Sequence, residues 1–335
     1  MSYAYEHGLA DRLSGRPGAR AQQPQTAVVA VLLSLISAVT YGCSDFAAGL
    51  ATRRASVLRV TLISEAATVA VVGLALAVAG AHPPDLRAVV WGCVAGLGGV
   101  CGALALYIGF RHAAFSVAGP LSAVGAAGFS VLAGLLLGER PTVLALTGIV
   151  LALPAIVGVS ASVGAGGGEH PGGGVVAAPT ASGAAPGGPA GWVRRLLPAG
   201  VSYGLAAGAC FALLFIGLNQ AGSSSGLWPV FLGQVAALLA VTCAAAFTGD
   251  LRLPEERGGW LAAAAGLTGG PGTILFFVAT HRGLLAVAAV ITSLYPAVTI
   301  LLARVVLGER LTAIRLAGLT LAAASVALIA ASGAG

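Results

Sequence analysis

The chain has 335 residues, of which 58% are hydrophobic and only 8% charged, and its mean hydropathy is +0.96. A soluble domain carries about 25% charged residues, so this composition excludes an ordinary soluble enzyme, and the low charge excludes a disordered chain. The 17 basic residues give a net charge of +6, but they are single or paired arginines between apolar runs. They form no basic stripe with interleaved aromatic residues, so nucleic acid is not an expected partner.

Ten apolar runs are each about as long as the ~20 residues that a membrane helix needs. They lack the alternation of polar and apolar residues that membrane strands show. The sequence therefore predicts an all-α membrane protein with ten transmembrane helices. The runs cover residues 27–48, 57–80, 87–110, 114–138, 142–162, 198–218, 226–248, 258–280, 284–307 and 312–332.

Two segments fall outside these runs. Residues 1–26 are polar and are predicted to be a disordered N-terminal tail, since the apolar run that follows them is too long for a signal peptide. Residues 163–192 are rich in Gly, Ala and Pro and are predicted to be a flexible linker. The linker divides the rest into units of five runs each, residues 27–162 and 198–332.

The two units are similar in sequence. At an offset of 170 residues, the triplet Gly-Glu-Arg at 138–140 matches the same triplet at 308–310, and glycines of the third run match glycines of the eighth. Earlier runs match at offsets of 162 and 169. Because five is an odd number, the second unit must enter the membrane with the opposite orientation. Inverted repeats of this kind are typical of secondary transporters.

These residues also resemble a known family. The stretch YGCSDF at 41–46 and the Leu-Gly-Glu-Arg that follows the fourth and ninth runs are similar to motifs of the EamA family, within the drug/metabolite transporter superfamily. The resemblance implies a ten-helix carrier of the bacterial inner membrane, often an exporter of amino acids or other metabolites. It also implies cytoplasmic termini, an orientation that would leave more arginines outside than inside, against the positive-inside rule.

Glu65 is the sharpest candidate for chemistry. It lies in the middle of the second run, where a carboxylate costs roughly 2.5–3.5 kcal/mol and usually faces a cavity. Its counterpart at an offset of 169 is Gln234 in the seventh run, so two polar groups could share one central cavity. Glu65 then either couples transport to protons or binds a cationic substrate. The alternative is a protonated or paired carboxyl group with a structural role.

The first run offers two further candidates, and one of them has a counterpart in the sixth run. Asp45 lies near its end and either lines the cavity or forms a salt bridge with Arg53 or Arg54 at the membrane edge. Tyr41 and Tyr203 are counterparts next to glycines. Each offers a ring and a hydroxyl group, for lining the cavity or for ordinary packing.

The ninth run contains Ser293 and Tyr295 followed by Pro296, and the fourth contains Pro120 and Ser122. The serines and the tyrosine are candidate cavity residues. Proline inside a membrane helix frees a backbone carbonyl and permits a kink. The two prolines therefore predict either a hinge or a static bend.

Two other patterns predict structure rather than chemistry. Pairs of glycines four residues apart in the third and eighth runs, such as those ending at Gly96 and beginning at Gly266, allow close helix packing in lipid. Glu139 is expected to cap locally or to pair with Arg140.

Together these observations predict a secondary carrier, and more specifically an exporter, for a small polar or amphipathic metabolite such as an amino acid. No nucleotide-binding motif, metal-ligand spacing or nucleophile arrangement is visible in the sequence, so neither cofactor, metal nor enzymatic activity is expected. The expected partners are the substrate, membrane lipids and a coupling proton, and the oligomeric state stays open. The alternatives are an uptake carrier for a sugar or nucleoside, and a lipid-handling flippase or membrane enzyme.

Overall fold

The computed structural model describes residues 17–80, 83–112, 115–160, 199–250, 256–307 and 312–332. Within these ranges the chain forms eleven α-helices and no strand. In chain order they are α1 Pro17–Thr52, α2 Val57–Ala79, α3 Leu86–His112, α4 Phe115–Leu136, α5 Val143–Ser160, α6 Ala199–Gln220, α7 Trp228–Thr248, α8 Glu256–Thr280, α9 Leu285–Thr292, α10 Tyr295–Leu307 and α11 Ala313–Ser332.

Eight segments in the described part of the chain are long and apolar enough to cross a membrane, and one of them, Leu285–Val306, includes both α9 and α10. Two further apolar segments, Leu121–Leu136 in α4 and Val143–Val159 in α5, are shorter. Large hydrophobic side chains also cover the exterior, for example Phe247, which is 92% exposed. An exterior of this kind is stable in lipid and not in water, so the chain is a multi-pass membrane protein.

Helix α1 begins earlier than the sequence predicts. It starts at Pro17, ten residues before the first predicted apolar run. Proline is well suited to the first helical position, because its fixed φ fits a helix and its missing N–H would have no partner there. Residues 1–16 and the predicted linker at 163–192 lie outside the described residues.

The most extensive helix contacts join the two halves of the chain, whereas consecutive helices touch each other much less. Helix α1 packs on α8 and α3 packs on α6, while α2 packs on α8 and α3 on α7. Each of these contacts has a counterpart in which the halves exchange roles. The arrangement is the one expected when similar halves are related by a twofold axis.

The contact between α5 and α11 shows the relation in detail. Gly148 packs on Ile329, and Gly318 packs on Val159. Residues 148 and 318, like 159 and 329, differ by the repeat offset of 170, so one contact maps onto the other. Since the start of each helix meets the end of the other, these counterpart helices run antiparallel.

Glycines permit the closest approaches, as their pattern predicts. A Cβ atom on Gly96 would overlap the backbone of Gly233 in α7, and one on Gly266 would overlap the backbone of Ser64 in α2. Ser64 and Gly233 are themselves counterparts at an offset of 169. Backbones that meet without side chains between them gain dispersion contacts, which drive helix association in lipid.

The ninth apolar run is not one continuous helix. Helix α9 ends at Thr292 and α10 begins at Tyr295, with Ser293 and Leu294 in a turn between them. Pro296 accounts for the break, because its ring clashes with the carbonyl of the residue four positions earlier and it has no N–H to donate. In contrast, α4 continues without interruption through Pro120.

Candidate functional site

A cavity of about 140 Å³ lies between the halves, and α1, α2 and α3 line it together with α6, α7 and α8. This volume is below the range of about 300–1,000 Å³ that is typical of drug-sized sites, so the cavity suits a small ligand. Apolar groups make up much of the wall. The polar residues of the lining are Tyr41, Ser44, Asp45, Thr61, Ser64, Glu65, Thr68, Gln234 and Thr273.

Glu65 extends into this cavity from the middle of α2. Its Oε2 atom is buried and has no hydrogen-bond partner among the described residues. The position of α2 is fixed at its start, where the Ser56 hydroxyl accepts a hydrogen bond from the backbone N–H of Arg59 at 3.3 Å. The Arg59 guanidinium also pairs with Asp250 at the end of α7 at 2.5 Å. Two helices that face each other across the cavity are thus joined at one end.

Asp45 lines the same cavity from α1. It lies one helical turn after Tyr41, so both side chains share a face of the helix. Arg53 and Arg54 are exposed, and in the described part of the chain neither forms an ion pair with Asp45. The salt bridge at the membrane edge that the sequence left open is therefore absent, and Asp45 takes the alternative position in the cavity.

Thr273 of α8 connects the polar groups of the two halves. The Tyr41 hydroxyl donates to Thr273 Oγ1 at 2.9 Å, and the Gln234 amide donates to the same oxygen at 3.4 Å. Thr273 in turn donates to the carbonyl of Gly269 at 3.2 Å. The sequence analysis did not identify Thr273. Its counterpart at an offset of 170 is Ala103, which also lines the cavity. The replacement of alanine by a polar threonine at this position of the repeat could have indicated it.

Four predicted cavity residues lie outside this lining. Tyr203, on α6, is half-buried and does not line the cavity as its counterpart Tyr41 does. Ser122 of α4 and Tyr295 of α10 form a side-chain hydrogen bond with each other. Ser293 is buried in the turn between α9 and α10, and its hydroxyl has no hydrogen-bond partner in the described part of the chain.

The break before Pro296 is held by α1. The Thr299 hydroxyl donates to the carbonyl of Gly42 at 3.2 Å, and a Cβ atom on Gly42 would lie 2.5 Å from Cβ of Val298. On the other side of the break, the Thr292 hydroxyl donates to the carbonyl of Ser34 at 3.5 Å. The two short helices therefore dock on the helix that carries Tyr41 and Asp45.

Glu139 does not make the local contact that the sequence predicts. Its carboxylate accepts hydrogen bonds from the backbone N–H groups of Leu285, at 2.5 Å, and Ala286, at 3.0 Å. These groups begin α9, which has no side-chain cap of its own, while Arg140 is exposed. A carboxylate at this position satisfies free N–H groups and complements the helix dipole. The first half thus caps a broken helix of the second, and residues 308–311, which contain the matching triplet, lie outside the described residues.

Comparison with known proteins gives the class. A family model described as the EamA-like transporter family matches residues 28–161 and 198–331. The chain belongs to the EamA-like transporter family. Its members are membrane transporters and not enzymes, and the match agrees with the drug/metabolite transporter superfamily that the sequence motifs indicate.

Solved structures support the fold of this EamA-like transporter. One described as "Crystal structure of protein" has a TM-score of 0.69 and 17% sequence identity, and the match covers 89% of this chain and 97% of that chain. At this identity the likeness shows the fold alone. No curated protein gives a significant match. The family therefore gives the general class, a membrane transporter, and the substrate has to be inferred from the cavity.

Proposed function

We propose that this protein is a secondary transporter for a small polar or amphipathic metabolite, such as an amino acid, and that it works as an exporter. The observation that carries the proposal is the cavity between the halves, whose wall includes the buried, unpartnered Oε2 of Glu65. A carboxyl group at this depth is costly unless a substrate, an ion or a proton compensates it. A compensated site between two similar halves is the arrangement on which alternating access depends.

The topology behind this proposal has ten transmembrane helices in two inverted five-helix repeats. Eight of these are the long apolar segments, with α9 and α10 counted together as one broken span. The shorter helices α4 and α5 are the other two. The antiparallel crossing of α5 and α11 through Gly148 and Gly318 supports the inversion. With this topology, rocking of one half against the other would expose the cavity to one side of the membrane at a time.

The break before Pro296 would act as a gate in this cycle. The two short helices on either side of the break, α9 and α10, dock separately on α1 through Thr292 and Thr299. One of these contacts can therefore open while the other stays in place. Helix ends of this kind are common in transporters, where discontinuous helices absorb the motion near the substrate site. Pro120, in a continuous α4, would serve only as a bend.

A proton is the proposed coupling ion, and Glu65 is its proposed carrier. The experiment measures substrate flux in proteoliposomes with an imposed pH gradient, after a substrate has been found by screening a metabolite library for thermal stabilisation. The flux of the Glu65→Gln variant should no longer respond to the imposed pH gradient. Flux by the variant that keeps the full pH dependence of the wild type would remove the coupling role.

The same measurement decides the class and direction. Stabilisation and flux with amino acids or related metabolites, faster outward than inward, would support export. Inward flux of a sugar or nucleoside would replace export by uptake, and lipid scrambling without metabolite flux would indicate a flippase. The proposed location is the cell inner membrane with both termini in the cytoplasm. Reporter fusions at the C-terminus that are active only outside the cytoplasm would reverse that orientation.

A further inference from the structure

The cavity wall has an unbalanced charge. Two carboxyl groups, those of Asp45 and Glu65, belong to the lining, and the described lining includes no Arg, Lys or His. Arg59, near the start of α2, is paired with Asp250. In a wall without a compensating cation, two carboxylates create a field that favours a positive ligand.

Most hydroxyl groups in the wall already donate hydrogen bonds within the protein. The hydroxyl groups of Ser44, Thr61 and Thr68 donate to the backbone carbonyls of Ala265, Val57 and Ser64, at 2.8–2.9 Å. The Tyr41 and Thr273 hydroxyls are committed as well, the first to the second and the second to a carbonyl. Oε2 of Glu65 is buried and has no hydrogen-bond donor among the described residues. A ligand that completes this site must bring its own donors.

We infer that the cavity binds an organic cation, of the primary or secondary ammonium class, whose N–H groups are received by Asp45 and Glu65. An ammonium group supplies both the positive charge and the hydrogen-bond donors that the described lining lacks. The rings of Tyr41 and Phe211 are also in the lining, and an aromatic face attracts a cation within about 6 Å of its centroid. This inference names the substrate class of the proposed transport site and rests on that proposal.

The test uses three probes that share a phenyl ring and a two-carbon chain but differ in charge: phenethylamine, 2-phenylethanol and phenylacetate. Binding to the full chain in lipid nanodiscs is measured by calorimetry at pH 7.5. Phenethylamine is expected to bind at least about ten-fold more tightly than the alcohol, because a hydrogen bond to a charged group is worth about 1.5–3 kcal/mol, or roughly one to two factors of ten. Phenylacetate should bind worst of the three.

Asp45→Asn and Glu65→Gln should each lower phenethylamine affinity by about ten-fold or more and leave 2-phenylethanol binding unchanged, which also shows that the variants are folded. The matched control is Asp85→Asn. Asp85 lies before α3, where its carboxylate accepts from the backbone N–H of Ala88 at 2.7 Å, and asparagine caps equally well there. This control should leave the affinity for all three probes unchanged.

Equal affinity for the amine and the alcohol, or tighter binding of phenylacetate, would overturn the inference. So would amine binding that survives both cavity substitutions. Flux of a neutral or anionic metabolite through the cavity, without amine binding, would refute the cationic class while leaving transport intact. Charge-selective amine binding without flux of any compound would refute transport and support the site.

Discussion

In the first half of the chain, the cavity wall carries Asp45 and Glu65. The residues at the corresponding positions of the second half, at offsets of 162 and 169, are Ala207 and Gln234. The helix packing, unlike the charge, is the same in both halves. Gly96 meets the backbone of Gly233 just as Gly266 meets the backbone of Ser64. Close packing must be satisfied in each half separately, whereas both walls face a single cavity. One set of charges therefore serves both.

Moving the carboxyl group from one wall to the other is expected to have the largest effect. The double variant Glu65→Gln/Gln234→Glu should transport at least about ten-fold more slowly than the wild type, since losing a charged hydrogen bond costs about 1.5–3 kcal/mol. The physical reason is that a carboxylate at position 234 cannot donate to Thr273 Oγ1, as the present amide does at 3.4 Å, so the substitution also removes that polar contact. Initial rates of substrate flux in proteoliposomes measure the effect. A wild-type rate in the double variant would show that the wall carrying the charge does not matter.

The glycine contacts test whether the scaffold is as symmetric as it looks. Gly96→Ala and Gly266→Ala should each lower stability by about 1–3 kcal/mol, because the new methyl group meets backbone that cannot move aside easily. Gly128→Ala is the control, since no heavy atom lies within 4 Å of the added Cβ. Thermal unfolding in detergent compares the three. A large loss for one glycine and none for its counterpart would contradict the shared scaffold.

The cap from Glu139 tests a contact in which the first half stabilises the second. Glu139→Ala should cost about 0.5–2 kcal/mol, the usual value of an N-cap, and should increase hydrogen exchange at the start of α9. Arg140→Ala, at the exposed neighbour, should change stability by less than about 0.5 kcal/mol. Equal effects of the two substitutions would mean that the carboxylate does not hold α9.

The smallest effect concerns the end of α8, where the halves differ in a titratable group. His281 follows α8, and at an offset of 170 the first half has Arg111, which stays charged at all relevant pH values. Burial, assisted by the charge of Arg87, lowers the pKa of His281 below its ordinary value of 6.5. Its Nδ1–H donates to the carbonyl of Phe277 at 2.7 Å, and hydrogen bonds to the backbone of Phe277 and Asn219 oppose the lowering of the pKa without cancelling it.

The direction of the pH dependence follows from that lowered pKa. Below pH 6.5 the unfolded chain protonates this histidine before the folded protein does, so its contribution to stability is complete above pH 6.5 and declines as the pH falls. The melting temperature should therefore drop less between pH 7.5 and pH 5.5 in His281→Gln than in the wild type. An identical slope in both proteins would assign the pH dependence to other groups.

Part of the site was predictable because of where polar residues stand in the sequence. Glu65 and Gln234 interrupt long apolar runs at corresponding depths, and the cost of a polar group in lipid makes such positions candidates for a cavity. Tyr41 and Asp45 were candidates for the same reason. The order of the helices and the internal repeat could also be predicted from the sequence, because both depend on hydropathy and on spacing along the chain.

Other assignments depended on helix rotation, which a sequence does not specify. Symmetry with Tyr41 suggested that Tyr203 lines the cavity, but its side chain lies elsewhere, and Ser122 bonds to Tyr295 outside the lining. Thr273 was missed because a threonine in an apolar helix usually bonds to its own backbone. The partner of Glu139 was missed because α9 is 146 residues away in the chain.

By itself, the sequence determined that this chain is a helical membrane protein with an internal repeat, because hydropathy and periodicity are properties of neighbouring residues. Only the tertiary structure decided which polar groups share a cavity, which donors are already used, and which half caps which helix. Those outcomes depend on how helices from distant parts of the chain rotate and cross, and the closest crossings are set by backbone contacts at glycines.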